Sequence, residues 1–384
     1  MNVLVVAGPG TGSVLPMVPL AQAVRRRGHE VFVAGPASAQ PAVAAAGLAG
    51  VPVSSRSLTD CHEDRRGQTV PLPGAGHERD IAIGRAFGRF AADCLTGLLS
   101  FVELWPADVV LAAAEAYAAP LVADHLGVPC VRFTTGFAEP SVEALAAIAE
   151  MGPELEKLGH YDLPRPACTV SVTPPGLRAD DAPPALPLRH IPYTTQRAVE
   201  PWAYVRGDRP RVLVDAVGDD TAGPGGGLPA DVLGALVTRL AALDVELLVG
   251  LPEAGPAAPS VPDGVRCGPM PFDVLAPTCD AVVHFGAGLS ALGSLAHGIP
   301  QLALPVTPRL EDHGARIAES GAGTMIPFAQ AEPERVAAAC AELLADASFR
   351  SAAVQVRDEM HAMPLPSAFA AQLERTGMRG EAAA

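Results

Sequence analysis

Two groups of side chains near the start of the chain have the make-up of acid–base machinery. His62, Glu63 and Asp64 form one, and His77, Glu78 and Asp80 the other. A carboxylate beside a histidine raises the basicity of the imidazole and stabilises the imidazolium, so the pair can take up and return a proton near neutral pH. Both groups fall in a polar, turn-rich stretch, residues 54–80. A solvated surface loop has the same composition, so a mobile loop is the competing reading for each. The other stretch with chemical promise is VVHFGAGLSALGSLAHGIPQ, Val282 to Gln301. It reads as the end of a buried strand, a glycine turn at Gly286 and Gly288, and a helix that stops at Gly298 before Pro300. Such a unit aims free N–H groups at whatever lies in the crevice beyond the strand, with His284 and Ser290 beside it.

The elements that must hold these groups alternate between strand and helix. Val3 to Ala7 predicts a strand, Gly8 to Gly12 a glycine-rich loop, Leu15 to Arg27 a helix ended by Gly28, and Glu30 to Ala34 the next strand. That order opens a doubly wound sheet. Ser38 to Ala46 predicts a short helix with Ser38 as its N-cap. Further helices are predicted at Ile81 to Leu104, Ala116 to Leu126 and Val142 to Glu150, with strands at Asp108 to Ala112, Pro129 to Phe133 and Cys168 to Val172. Prolines crowd the chain from Pro164 to Arg211, and a second alternation starts at Arg211. It includes helices at Leu228 to Leu243, Arg316 to Glu319, Glu332 to Ala345 and Ser348 to Met360. The expected organisation is one α/β domain over 1–193, a linker over 194–210 and a second over 211–384, with a final helix able to cross back. The site is expected in the cleft between the two halves, at the carboxyl ends of their strands.

Composition excludes several classes of function. The 384 residues are 49% hydrophobic, enough for two proper cores. A net charge of −15 makes nucleic acid and anionic membranes poor partners. Seven scattered cysteines without a CxxC pair argue for a reduced, cytoplasmic setting and against structural zinc. The chain opens directly on a strand, with neither a signal peptide nor an apolar run long enough to span a membrane.

The stretch from Val282 to Gln301 resembles the C-terminal signature of family-1-type glycosyltransferases, the GT-B enzymes that decorate bacterial natural products. His284, Gly286, Leu292, Leu295, Ala296, Gly298, Pro300 and Gln301 match it. The likeness extends through LALP (Leu302 to Pro305), ARIAESGAG (Ala315 to Gly323) and RDEMHAMPLP (Arg357 to Pro366). In the first half it covers LPMVPLAQAVRRRGHEV (Leu15 to Val31), LGVPCVR (Leu126 to Arg132) and LRHIPY (Leu188 to Tyr193). The resemblance implies the GT-B fold: α/β, two doubly wound Rossmann-like domains facing a central cleft. It also implies a nucleotide-sugar donor and a hydrophobic acceptor.

Where the resemblance implies chemistry, this chain departs from it. Ser13 stands where the family's histidine base is expected, and Ala113 where its aspartate partner is. Glu115, two residues on, is either a substitute carboxylate or the flank of a helix start. Phe285 replaces the second histidine of the turn, and Leu289 a glycine, while Ser290 keeps a hydroxyl for the diphosphate. Asp219 and Asp220 stand in the first loop of the second domain, where carboxylates oppose a diphosphate unless they are solvated turn residues. Pro269 falls near the position of the nucleobase-stacking tryptophan. Arg309-Leu310 takes the place of the sugar-holding Asp-Gln pair, with Glu311 and Asp312 as shifted equivalents. Phe87, Phe133, Phe137 and Phe285 suit a polyketide-like ligand, or are simply core.

Three functions follow from this pattern. The first is a diverged glycosyltransferase homologue of bacterial secondary metabolism, repurposed for a non-glycosyl step such as cyclisation or rearrangement, and needing no cofactor. The second is an active transferase, using a dTDP-sugar and a non-standard base, for O- or C-transfer. The third is a non-catalytic partner of another transferase. Catalytic candidates are Glu115, His77 and His62. Binding candidates are Ser13, Phe87, Phe133, Phe137, His284, Phe285, Ser290, Glu311 and Asp312. The expected partner is a small hydrophobic molecule, with a homodimer or a pathway protein as further options.

Overall fold

A computed structural model describes residues 1–73, 76–137, 142–217, 229–252, 259–286 and 288–376. The first half builds a parallel sheet from β1 (Asn2–Val6), β2 (Glu30–Pro36), β3 (Ala49–Ser54), β4 (Val109–Ala113), β5 (Cys130–Thr134), β6 (Cys168–Ser171) and β7 (Leu186–Pro187). Their order is β3-β2-β1-β4-β5-β6-β7. The second half builds another from β8 (Arg211–Asp215), β9 (Glu246–Gly250), β10 (Arg266–Gly268), β11 (Ala281–His284), β12 (Gln301–Ala303) and β13 (Gly323–Met325), ordered β10-β9-β8-β11-β12-β13. Every pairing in both sheets is parallel. A parallel sheet is covered on both faces, which is why strands such as VLVV and AVVH are apolar on both sides.

Helices α1 (Thr11–Val14), α2 (Val18–Arg26), α3 (Gln40–Ala45), α4 (His77–Leu104), α5 (Ala119–Leu126), α6 (Val142–Glu150) and α7 (Gly152–Lys157) clothe the first sheet. The second carries α8 (Ala230–Ala241), α9 (Phe272–Leu275), α10 (Gly288–Ala296), α11 (Pro308–Glu319), α12 (Pro333–Ala345), α13 (Ala347–Ala362) and α14 (Pro366–Thr376). The last of these packs against α2, and Glu374 there pairs with Arg27 and His29. One hydrophobic core accordingly runs from the first sheet through Leu292, Met360 and Phe369. Arg211, 1% exposed, fastens the start of β8 by pairing with Glu246 and donating to the carbonyls of Trp202 and Val205.

The structure corrects several boundaries. The glycine-rich loop is shorter than expected, because helix begins at Thr11 and runs through a 3₁₀ turn into α2. Ser38 sits inside a 3₁₀ turn and caps nothing. α4 starts at His77, so His77, Glu78 and Asp80 form its first turn rather than a loop. α5 starts at Ala119, which leaves Glu115 in the turn after β4. α11 starts at Pro308, capped by the Thr307 side chain, eight residues before the expected helix. Among the described residues, no helix is long and apolar enough to cross a membrane.

A cleft between two sheets as the candidate active site

In each sheet the strand order reverses at one point, between β1 and β4 and between β8 and β11. Crevices open beyond the carboxyl ends of strands at such points. Here the two face each other and enclose a cavity of about 220 Å³, lined from both halves.

On the first side, Ser13 follows β1 and Glu115 follows β4. A methyl added to Gly8 would meet Glu115 Cβ at 3.0 Å and Ser13 Cβ at 3.3 Å, so the two side chains flank one point of the cavity wall. The Ser13 hydroxyl donates to the Gly10 carbonyl at 3.1 Å, which ties it to the helix start. Glu115 is half-buried. Phe87 from α4 and Phe133 from β5 supply the apolar wall. α6 closes this side by pressing on Gly84 and Gly88 of α4, where added methyl groups would run into the Glu143 and Ala147 carbonyls.

The second side is built on the glycine turn. His284 is fully buried; its Nδ1 accepts from the Gly286 N–H at 3.1 Å and its Nε2 lies 2.7 Å from Gln301 Oε1. Its Nδ1 must therefore be the unprotonated nitrogen. Burial pushes its pKa down to about 4, so it is a neutral brace for the turn. That turn presents Gly288, Leu289 and Ser290, the first residues of α10, to the cavity. The Ser290 hydroxyl donates to Asp215 Oδ2 at 2.5 Å, and the Val217 N–H to Oδ1 at 3.3 Å. Burial pushes the Asp215 carboxyl up to about 6, against the pull of those two bonds.

α11 joins the sides. Arg309 and His313, one turn apart, both line the cavity. Arg309 Nε donates to Glu143 Oε1 of α6 at 3.0 Å, and the His313 ring meets Phe137 edge-on at 4.7 Å. Both contacts run from one half of the chain to the other.

Comparison with known proteins fits this geometry. Residues 22–217 match the family described as Erythromycin biosynthesis protein CIII-like, N-terminal domain, and residues 234–376 match its C-terminal domain. The chain belongs to the erythromycin biosynthesis protein CIII-like family. It is 32% identical to the L-demethylnoviosyl transferase of Streptomyces niveus, over 96% of this chain and 97% of that one. Among solved structures, the Streptomyces sp. SF2575 glycosyltransferase SsfS6 complexed with thymidine diphosphate superposes with a TM-score of 0.85 at 31% identity, covering 98% of this chain and 99% of that one. Spinosyn rhamnosyltransferase SpnG complexed with spinosyn aglycone gives 0.82 at 28% identity, with 97% and 100% covered. The two facing parallel sheets of this CIII-like chain are the GT-B fold.

Of the residues singled out from sequence, Ser13, Phe87, Glu115, Phe133 and Ser290 line the CIII-like cleft. Others lie elsewhere, for identifiable reasons. His62 is buried under a 3₁₀ turn near Arg89, and His77 is exposed on the first turn of α4. Glu311 and Asp312 are exposed, because the helical period that turns Arg309 and His313 inward turns them outward. Phe285 is core, edge-on to Phe328 at 6.2 Å, and Phe137 is 1% exposed behind His313. His284 acts behind the turn and not at the cavity surface. Asp219 and Asp220 lie outside the described residues. Pro269 is not part of the lining, but Met270 and Phe272 beside it are. Asp215, Glu143 and His313 went unnoticed in the sequence. Thr307-Pro308 with Glu311 in the first turn is an ordinary helix start, and reading it would have put Arg309 and His313 on one face.

Proposed function

We propose that this chain is an active glycosyltransferase that moves a sugar from a thymidine diphosphate donor to an apolar acceptor of natural-product type. The observation that carries the reading is the pairing of two unlike walls across one cavity. One sets the apolar rings of Phe87 and Phe133 beside the half-buried carboxylate of Glu115; the other is the N-terminus of α10, whose N–H groups suit an anion. Similarity to transferases, one solved with thymidine diphosphate and another with its aglycone, supports the same arrangement. It gives less support to a non-glycosyl step. In the proposed reaction the acceptor oxygen, or an activated ring carbon, attacks the anomeric carbon. The bond from that carbon to the diphosphate oxygen breaks, and thymidine diphosphate leaves with the electron pair. The acceptor proton passes to Glu115, which takes the place of a histidine base beside Ser13. The division at residues 194–210 belongs to this proposal. Thr194 and Gln196 already bond to Asp273 of the second half, and Arg197 to the Pro269 carbonyl.

The test is calorimetric titration with thymidine diphosphate, followed by turnover of dTDP-sugars on phenolic and macrolactone acceptors. Micromolar nucleotide binding and a drop of about 10²- to 10⁴-fold in kcat for Glu115→Gln are expected. Absence of nucleotide binding at millimolar concentration would end the proposal and restore the non-glycosyl reading.

A further inference from the structure

His313 is 3% exposed, lines the cavity, and forms no hydrogen bond with the described residues around it. Buried polar groups are nearly always bonded, so an imidazole without a partner at a cavity wall is one to which a ligand can supply a bond. Its Nδ1 is sealed inside the protein without a partner, so Nε2 is the nitrogen left for the cavity. Phe137 of the opposite half packs edge-on against the ring at 4.7 Å. Arg309, one turn earlier, is already engaged by Glu143.

The surroundings say what the ligand group is. Burial and the charges of Arg309 and Arg316 push His313 down to about 3, so the ring is neutral around neutral pH. A neutral imidazole of such low basicity is a poor general base and brings no charge to an anion; with one donor and one acceptor nitrogen it suits a hydroxyl. Position selects that group. The point over Gly288 at the start of α10 lies 3.9 Å from the Thr135 carbonyl, two residues from the Phe137 that holds His313. A methyl on Gly286 would meet Leu310 Cβ at 2.9 Å, so the start of α11 lies beside the turn into α10, and His313, Gly288 and Glu115 all line one cavity. With a diphosphate at α10, which is where this inference rests on the proposed function, the transferred sugar lies in the cavity that His313 lines.

We infer that His313 is a specificity-determining residue that hydrogen-bonds a hydroxyl of the donor's sugar ring. The nucleotide itself does not touch it. Affinity for thymidine diphosphate and affinity for a dTDP-sugar thus report on different contacts.

The experiment is calorimetric titration of the wild type, His313→Phe and His313→Gln with thymidine diphosphate, dTDP-D-glucose and dTDP-L-rhamnose. For the wild type, at least one dTDP-sugar is expected to bind more tightly than the bare nucleotide. His313→Phe should remove about tenfold of that sugar-dependent gain, the worth of one hydrogen bond in a dry site, while holding thymidine diphosphate as before. His313→Gln should restore part of the gain, and the difference should be the same at pH 6 and pH 8. Retained nucleotide binding certifies that the variants are folded. An unchanged gain in His313→Phe overturns the inference, as does a wild type that binds no dTDP-sugar better than thymidine diphosphate. A wild type that binds no nucleotide removes the proposed function as well, so the two failures are distinct.

Discussion

Arg309 and Glu143 form an ion pair across the cleft, Nε to Oε1 at 3.0 Å, with the carboxylate in the first half of the chain and the guanidinium in the second. Glu143 is 5% exposed, and Arg309 is about a third exposed at its side chain. Its electrostatic worth is therefore moderate, because solvent reaches one partner. Its geometric worth is larger, since it ties together the two walls that, in the proposed transfer, hold donor and acceptor.

Breaking the pair should accordingly affect turnover more than folding. Glu143→Gln and Arg309→Gln are each expected to lower kcat/KM about fivefold, and the double variant should be no worse than the single ones. A double-mutant cycle on kcat/KM measures this coupling; additive losses would mean that the two residues act separately.

The placement of Glu143 depends in turn on the glycines under it. Gly84→Ala puts a methyl against the Glu143 carbonyl, where backbone and not a flexible side chain must yield. The cost is expected to be about 1–3 kcal/mol in chemical denaturation, the usual range for overpacking. Because α6 shifts as a unit, kcat/KM should fall along with stability. Gly152→Ala, outside the cavity and with nothing within 4 Å of the added methyl, is the control that should change little.

These contacts mark where sequence reading succeeded and where it stopped. The parallel sheets were legible because continuously apolar strands such as VVLAA and short helices between glycines leave few alternatives. Ser13, Glu115 and Ser290 were found because the resemblance assigns those positions, or their near neighbours, to the base and the diphosphate, and sites in such folds sit just past strand ends. Arg309 was noticed only as a departure from a motif, and Glu143 and His313 not at all. A contact between α6 and α11 joins residues 166 apart in the chain, which no local period reveals. Asp215 escaped for the opposite reason. It ends an apolar strand, and only the structure says that the carboxylate stays buried there.

Buried histidines should make the protein acid-labile. His190, His284 and His313 are pushed down to about 4, 4 and 3, chiefly by burial. Each binds its proton more weakly in the folded chain than in the unfolded one. The stability tied to keeping them neutral is thus complete above the unfolded value near 6.5 and is lost as pH falls towards 4. Thermal melts should be flat from pH 8 to 7 and drop steeply below pH 6. His284→Gln, which removes one titrating group but leaves an amide that can bond Gln301, should flatten part of that slope.

Asp215 works in the opposite direction and gives a test at the cavity itself. Its carboxyl is raised to about 6 by burial, although Ser290 and Val217 donate to it from side chain and backbone. Between the unfolded carboxyl value near 4 and the folded one, the native state holds a proton that the unfolded chain has released. The stability this residue allows is therefore full below pH 4 and declines as pH rises through 6, by about 3 kcal/mol at roughly 1.4 kcal/mol per unit. Asp215→Asn cannot ionise. It should melt close to the wild type near pH 4.5 and several degrees higher at pH 8, with Ser290 still able to donate to the amide oxygen. The same substitution removes a negative charge beside the α10 N-terminus. Thymidine diphosphate should then bind the variant more tightly at pH 8, and wild type and variant should converge at pH 5, where both are neutral. Equal nucleotide affinity for the two proteins across that range would mean that the diphosphate does not lie against Asp215.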